Sequence, residues 1–461
     1  MVAAVPFRGL RFDPAVVGDP GRVIVPPYDV ITPEARDAYE AMNPYNVVRL
    51  ILARGGRDDP DRYEQAAKLL ESWSAEGALV LDPVPSLYLY EEAYELKGER
   101  RVQRGVMASV TLDDTGEAIL PHEGTMVAPV ADRLRLLEAT RANLSPIYGL
   151  YAGGGRAAAA LEHVTAAAPA VDAVDEAGLG HRLWTIDDPA TIARWCDLLA
   201  DQKVLIADGH HRYRTALAYR DEMDGSRAGT AAAGAGGSAT PSAGGADGAG
   251  GAAGGDRSGG PAAPWDQTLM LLGDIDQQGP SVLPVHRLLA GVPAEAVLDR
   301  LAPKFEITPV TTPSELEARL EVEPRERIAF GLYGGGRSWV LVASDAQALR
   351  SMTGVDHPPL DVEILHRTML GHMLGVRDPE HQVAYSNDLA AACRQVDQGE
   401  FSSLVVLRPA PFAGVVEVAQ RGRILPPKTT FFHPKPRDGL VLRPLHPEAF
   451  AAPSKPRGDP L

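Results

Sequence analysis

Hydrophobic positions recur at helical spacing through residues 61–76, where Tyr63, Ala66, Ala67, Leu70 and Trp73 share one face and predict an amphipathic helix. Thr32 followed by Pro33 predicts a capped helix that stops near Asn43-Pro44. Apolar runs and alternations predict strands at 47–52, 87–94, 105–111, 146–151 and 268–274, with Lys97-Gly98-Glu99 turning the second into the third. Between them the pattern predicts helices at 130–143, 157–168 and 189–199, and a hairpin from 171–175 and 181–186. Beyond residue 293 the alternation resumes. Helices are predicted near 293–301, 314–320, 362–374 and 389–398, and strands near 327–333, 338–343, 403–407 and 440–442. No repeat of fixed period runs through the chain. The expected organisation is an N-terminal region 1–290, a C-terminal α/β domain 291–447 and a tail 448–461. The fold class is α/β, of mixed α+β character.

One stretch breaks the pattern with chemistry. Val204-Leu205-Ile206-Ala207 reads as a buried strand, Asp208-Gly209 as a sharp turn, and the residues from His210 to Arg220 as a helix. Asp208 suits the N-cap, and Gly209 permits a tight turn with no side chain facing an incoming group. His210, His211 and Arg212 then load the first helical turn, where free amides and the helix dipole already favour an anion. The pattern points to a phosphate site, although Asp-Gly before a helix is also ordinary punctuation. Tyr213, Ala216 and Leu217 share the face that follows.

Composition narrows the partners. With 45 Lys and Arg against 61 Asp and Glu, the formal charge is 45 − 61 = −16, which argues against nonspecific binding to nucleic acid or an anionic membrane. Only Cys196 and Cys393 are present, too few for a disulfide framework or a cysteine-built metal centre. No apolar run approaches membrane-spanning length and the first residues lack the apolar core of a signal peptide, so a cytoplasmic protein is expected. Residues 225–264 are nearly all Gly, Ala, Ser and Pro, which predicts a disordered insertion within a domain.

Other polar clusters are candidates beside the central turn. Pro121-His122-Glu123-Gly124-Thr125 places an imidazole, a carboxylate and a hydroxyl on one loop; Glu123 reads either as a general base or as a solvated turn residue. Arg133 on the next helix and Lys428 in the Pro426-Pro427-Lys428-Thr429-Thr430 loop are candidate phosphate contacts. Pro284-Val285-His286-Arg287 offers a further His-Arg pair, with His286 either completing an anion pocket or satisfied in the core. A metal hydrolase is the rival reading, but a His-Glu-x-x-His spacing is absent because Met occupies position 126. Neighbouring His210 and His211 point about 100° apart on a helix, which suits one metal poorly. Neither a P-loop nor a Gly-x-Gly-x-x-Gly after a strand is present.

Several blocks in order resemble an uncharacterised bacterial and archaeal family, the domain of unknown function 1015. They are Pro26-Pro27-Tyr28-Asp29-Val30-Ile31, Asn43-Pro44-Tyr45-Asn46-Val47-Val48-Arg49-Leu50, Pro121 to Thr125, Ala142 to Tyr148, Ala207 to Tyr213 and Pro426 to Thr430. The Asp208-to-Arg212 block also resembles the phosphate-binding turn of the ParB/sulfiredoxin-like fold, which includes nucleotidases, CTP switches and a kinase of free serine. That resemblance implies a ParB-like core elaborated at its N-terminus. It implies that Gly209, His210, His211 and Arg212 hold nucleotide phosphates, and that Asp208 lies near Mg²⁺ or the acceptor hydroxyl. Glu123 is the candidate general base by its order along the chain. The expected function is thus a phosphotransferase using ADP or ATP with Mg²⁺ on a small hydroxyl metabolite, free serine first. Glu123, Asp208 and His211 would be catalytic, with Arg133 and Lys428 joining the phosphate contacts and His122, Thr125, Tyr213 and His286 holding substrate. A non-catalytic nucleotide or phosphometabolite sensor, and a metal-dependent phosphohydrolase, are the alternatives.

Overall fold

The computed structural model describes residues 1–56, 59–234, 262–277 and 279–450. Among them, nine strands form one mixed sheet, in the order Ile119–Leu120, Val204–Asp208, Ile147–Tyr151, Gln267–Asp274, Glu99–Thr111, Leu87–Leu96, Gly180–Ile186, Val171–Val174, with Ala4–Val5 along Glu99–Thr111. Strand Val204–Asp208 runs parallel to Ile119–Leu120 and antiparallel to Ile147–Tyr151. Its apolar residues alternate between the two faces. Leu205 joins one core with Leu120, Tyr148 and Leu271, while Val204 and Ile206 join another with Trp195, Tyr213 and Leu217. Both faces are therefore covered, which is why the strand reads as an unbroken apolar run.

A second sheet of six antiparallel strands follows, ordered Phe305–Val310, Arg337–Ala343, Ala329–Gly334, Ser403–Val406, His286–Leu289, Val383–Ser386. The chain then turns back. Phe431–His433 pairs with Ser281–Leu283, Asp438 bridges Val25, Leu442 bridges Leu10, and Arg443–Pro444 pairs with Ala142–Asn143. Residues 431–444 thus lie across the first half of the molecule, and Leu440, Val441 and Leu442 are buried there.

The mixed α/β class stands, as do the capped helix Pro33–Met42, helix Asp61–Ala75, the Leu87–Leu96/Glu99–Thr111 hairpin and the Val171–Val174/Gly180–Ile186 hairpin. Four expectations differ. Residues 47–52 form a short helix, Val48–Ile51, because Asn46 Oδ1 accepts from Val48 N at 3.0 Å and starts a turn. An apolar run of that length fits a buried helix as well as a strand. The Ala-rich 157–168 segment is two short pieces, Arg156–Ala159 and Glu162–Ala166. Residues 440–442 make one isolated bridge in place of a strand. Within 225–264 the backbone stays helical to Gly234, because an existing helix extends readily into alanine. At the other end Ala263 packs with Leu137, Tyr219, Trp265 and Leu445. The remainder of that expected insertion, 235–261, lies outside the described residues, as does 451–461 of the expected tail.

Candidate functional site

The first sheet delivers its chemistry at the C-terminal end of Val204–Asp208. Pairing with Ile147–Tyr151 shifts register between Ile206 and Asp208, an irregularity that re-aims the last residue. Gly209 follows at φ 94°, and a Cβ there would lie 3.0 Å from Arg212 Nε. Both facts require glycine. Helix His210–Gly234 starts at once.

Asp208 does not cap that helix. Its Oδ1 lies 2.6 Å from Lys435 Nζ and its Oδ2 pairs with Arg212. Burial alone would raise its carboxyl, but Lys435 and Arg212 overcome the effect and hold it below the usual range. Arg212 also donates to the Pro146 carbonyl, and its buried Nε keeps an unspent N–H beneath Gly209. A cleft of about 540 Å³ opens over this turn.

Loop 121–126 supplies one wall. Glu123 lines the cleft, and burial raises its carboxyl against the pull of Lys428. Met126 N donates to His211 Nε2 at 3.1 Å, and His122 N donates to His210 Nε2 at 3.4 Å. Each ring therefore accepts at Nε2 and carries its proton on Nδ1. Burial lowers the pKa of both, most strongly for His210. Both imidazoles are neutral donors and acceptors, not cations.

Helix Val127–Thr140 adds Arg133, whose guanidinium stacks 4.3 Å from the Tyr28 ring centroid and donates to the Ile51 carbonyl at 2.7 Å. Arg133 and Arg62 both pair with Asp132, and all of these residues line the cleft. Asp29, beside Tyr28, lines it too and accepts from Lys435 at 3.2 Å.

The returning C-terminal segment supplies the remaining wall with Lys428, Thr430, Phe431, Phe432 and Lys435. Lys428 is exposed and held at φ 54°, a left-handed conformation uncommon outside glycine. Its loop is fastened from the second sheet. Arg287, fully buried, donates to the Pro427 and Lys428 carbonyls at 3.1 Å each, and to His366 Nε2. Burial brings this guanidinium down to about 10.

The structure therefore brings Glu123, Asp208, Gly209, His210, His211, Arg212, Arg133 and Lys428 to one cleft. Four other candidates do not line it. His122 is fully buried under the loop, where its Nε2 meets Thr430 Oγ1 at 3.1 Å, and burial pushes it down to about 4. Thr125 is exposed at the loop tip. Tyr213 points into the opposite core, its hydroxyl bonded to the Asp113 backbone. His286 belongs to the second sheet, where its Nδ1 accepts from Leu407 N at 3.2 Å. Lys435, Asp29, Tyr28, Arg62 and Asp132 complete the cleft without having been anticipated. The Pro-Pro-Tyr-Asp block held the signal for Tyr28 and Asp29. Lys435 carries no local signal, because its partners Asp29 and Asp208 lie more than 200 residues away in the chain.

Solved structures of similar architecture include a free serine kinase in complex with AMP (13% identity, TM-score 0.31, covering 71% of this chain and 86% of the other). A conserved hypothetical protein from Pyrococcus furiosus is 15% identical, with TM-score 0.30 over 72% of this chain and 90% of the other. C-terminally truncated SbnI from Staphylococcus aureus is 10% identical, with TM-score 0.34 over 74% and 87%. No curated protein matches the chain. The model of one family of proteins of unknown function, DUF1015, matches residues 4–363, and the chain belongs to that family.

Proposed function

We propose that the cleft binds a nucleotide by its phosphates and transfers a phosphoryl group to a small hydroxyl metabolite. One observation carries this reading. The start of helix His210–Gly234 faces a cleft into which Arg212 and, from a segment more than 200 residues on, Lys428 and Lys435 converge. Helix-start amides and such cations suit phosphate oxygens. His211 donates to a phosphate through Nδ1–H, and Arg133 on Tyr28 bounds the far wall. Glu123 takes the acceptor's hydroxyl proton; its raised pKa brings it toward the range where a carboxylate is an effective base. The likeness of the 208–212 turn to a serine-kinase turn makes free serine the first acceptor to assay.

Mg²⁺ enters this proposal only as the counter-ion of the nucleotide. Asp208 is a poor ligand for it, since Lys435 and Arg212 engage both oxygens. Among the described residues no group of three or more His, Cys, Asp or Glu side chains converges to hold a metal.

The test is nucleotide consumption in the presence of free serine and other small hydroxyl acceptors. Acceptor-dependent turnover is expected, with Glu123→Gln losing about 100-fold or more while nucleotide affinity stays within about threefold. Saturable nucleotide binding without turnover for any acceptor would remove the transferase and leave a sensor. Absence of nucleotide binding would remove both.

A further inference from the structure

Lys435 is the cation at the centre of the cleft, and it comes from the far end of the chain. Its Nζ lies 2.6 Å from Asp208 Oδ1 and 3.2 Å from Asp29 Oδ2, with only 14% of the side chain exposed. The stem does not wander. The Pro434 carbonyl beside it accepts from Gln103 Nε2 at 3.1 Å, and Arg437, two residues on, pairs with the fully buried Asp175 side chain. Burial alone would lower the ammonium's pKa, but Asp208 and Asp29 more than compensate and keep it charged.

Two carboxylates converging on one point ordinarily invite a divalent cation with oxygen ligands at about 2.0–2.6 Å. Here the charges are already matched, two negative by Asp29 and Asp208 and two positive by Lys435 and Arg212. A doubly charged ion on Asp208 would sit against two monovalent cations in a half-buried place, where like charges are poorly screened. An ammonium with three donors satisfies the same oxygens without the dehydration that Mg²⁺ resists.

We infer that Lys435 is a built-in substitute for a resident divalent ion: it occupies the cation position between Asp29 and Asp208, so that the ligand-free chain takes up no metal there. This goes beyond the phosphotransferase reading, because it concerns the chain without nucleotide and is measured without turnover. Removing the ammonium leaves Asp29 and Asp208 against the single charge of Arg212, and the unmatched negative charge favours an added cation.

The experiment is a Mn²⁺ titration of the nucleotide-free full chain, read by electron paramagnetic resonance of the free ion. The wild type is expected to show no saturable site at sub-millimolar Mn²⁺. Lys435→Ala is expected to bind one Mn²⁺ at least tenfold more tightly, and Lys435→Ala with Asp208→Asn is expected to lose it. Lys435→Gln, which keeps the length and a donor, replaces the alanine variant should that one not fold, with the same gain expected. A wild-type Mn²⁺ site abolished by Asp208→Asn would overturn the inference, and so would folded Lys435 variants that bind no more tightly than wild type. Neither result depends on whether the chain transfers phosphate.

Discussion

Arg212 is where the proposed phosphate site and fold stability meet. Its side chain, 10% exposed, holds Asp208 and the Pro146 carbonyl at once, so it fastens the helix start to strand Ile147–Tyr151. Truncation would strip a partner from a buried carboxylate. Arg212→Met should therefore cost about 3 kcal/mol in urea denaturation, the scale of a broken buried ion pair. His211→Ala gives up one bond to Met126 N and should cost about 1 kcal/mol while losing most nucleotide affinity. Loss of affinity in both variants with equal stability would contradict this division. Gly209→Ala forces a Cβ toward Arg212 at φ 94° and should destabilise by about 1–3 kcal/mol. Asp438 makes the pH prediction. Burial lifts its carboxyl to about 7, with Arg212 and a 2.6 Å bond from Ser145 Oγ opposing. A raised folded pKa means that the native state binds the proton more tightly than the unfolded chain. The stability it contributes is full below the ordinary carboxylate pKa and is lost as pH rises toward 7. Denaturation between pH 4 and 8 should show a flatter decline for Asp438→Asn than for wild type. At this scale the sequence revealed what is local: Asp208, Gly209 and Arg212 lie within five residues and meet at one turn, but the cap read for Asp208 fails because Lys435 and Arg212 take its carboxylate. Asp29 and Lys435 meet across 406 residues, and no periodicity reports such a pair.

Elements were legible where one face is apolar and a cap marks the end, as in Pro33–Met42 and Asp61–Ala75. Val48–Ile51 was not, since it is buried nearly all round and its start depends on one Asn46 side chain. The 426–430 loop shows a different limit. Its prolines announce rigidity, but its position depends on Arg287, a residue of another sheet. A left-handed Lys428 is disfavoured by roughly 1–2 kcal/mol, and the two carbonyl bonds from Arg287 offset that strain. Arg287→Met should therefore weaken nucleotide binding about tenfold by loosening Lys428, and should add little in a Lys428→Ala background. Full additivity of the two in isothermal titration would separate the residues and refute the coupling.

The whole molecule is organised by the return of residues 425–445. Leu425, Leu440, Val441, Leu442 and Leu445 are buried, and Arg437, Asp438 and Arg443 are buried with them. Arg443 donates to Asn143 Oδ1 and to the Gln267 and Pro264 carbonyls, spanning strands that are far apart in order. Removing residues 425–450 should abolish cooperative thermal unfolding by circular dichroism, not merely ligand binding; a sharp transition in the truncated chain would show that the segment is an accessory. The alternation beyond residue 293 predicted further helices and strands, and a six-stranded sheet is built largely there, but a segment that crosses back over the first sheet leaves no trace in local hydrophobicity.

The 406-residue span between Asp29 and Lys435 has a consequence for how the molecule comes into being. Contacts that close such long loops form late, because chain entropy must be overcome before they contribute anything. During synthesis Asp29 must wait for this partner until the segment that carries Lys435 has been made and has cleared the ribosome. A ligand that needs the complete cleft cannot shepherd the nascent chain. It can only seal a molecule that has already finished.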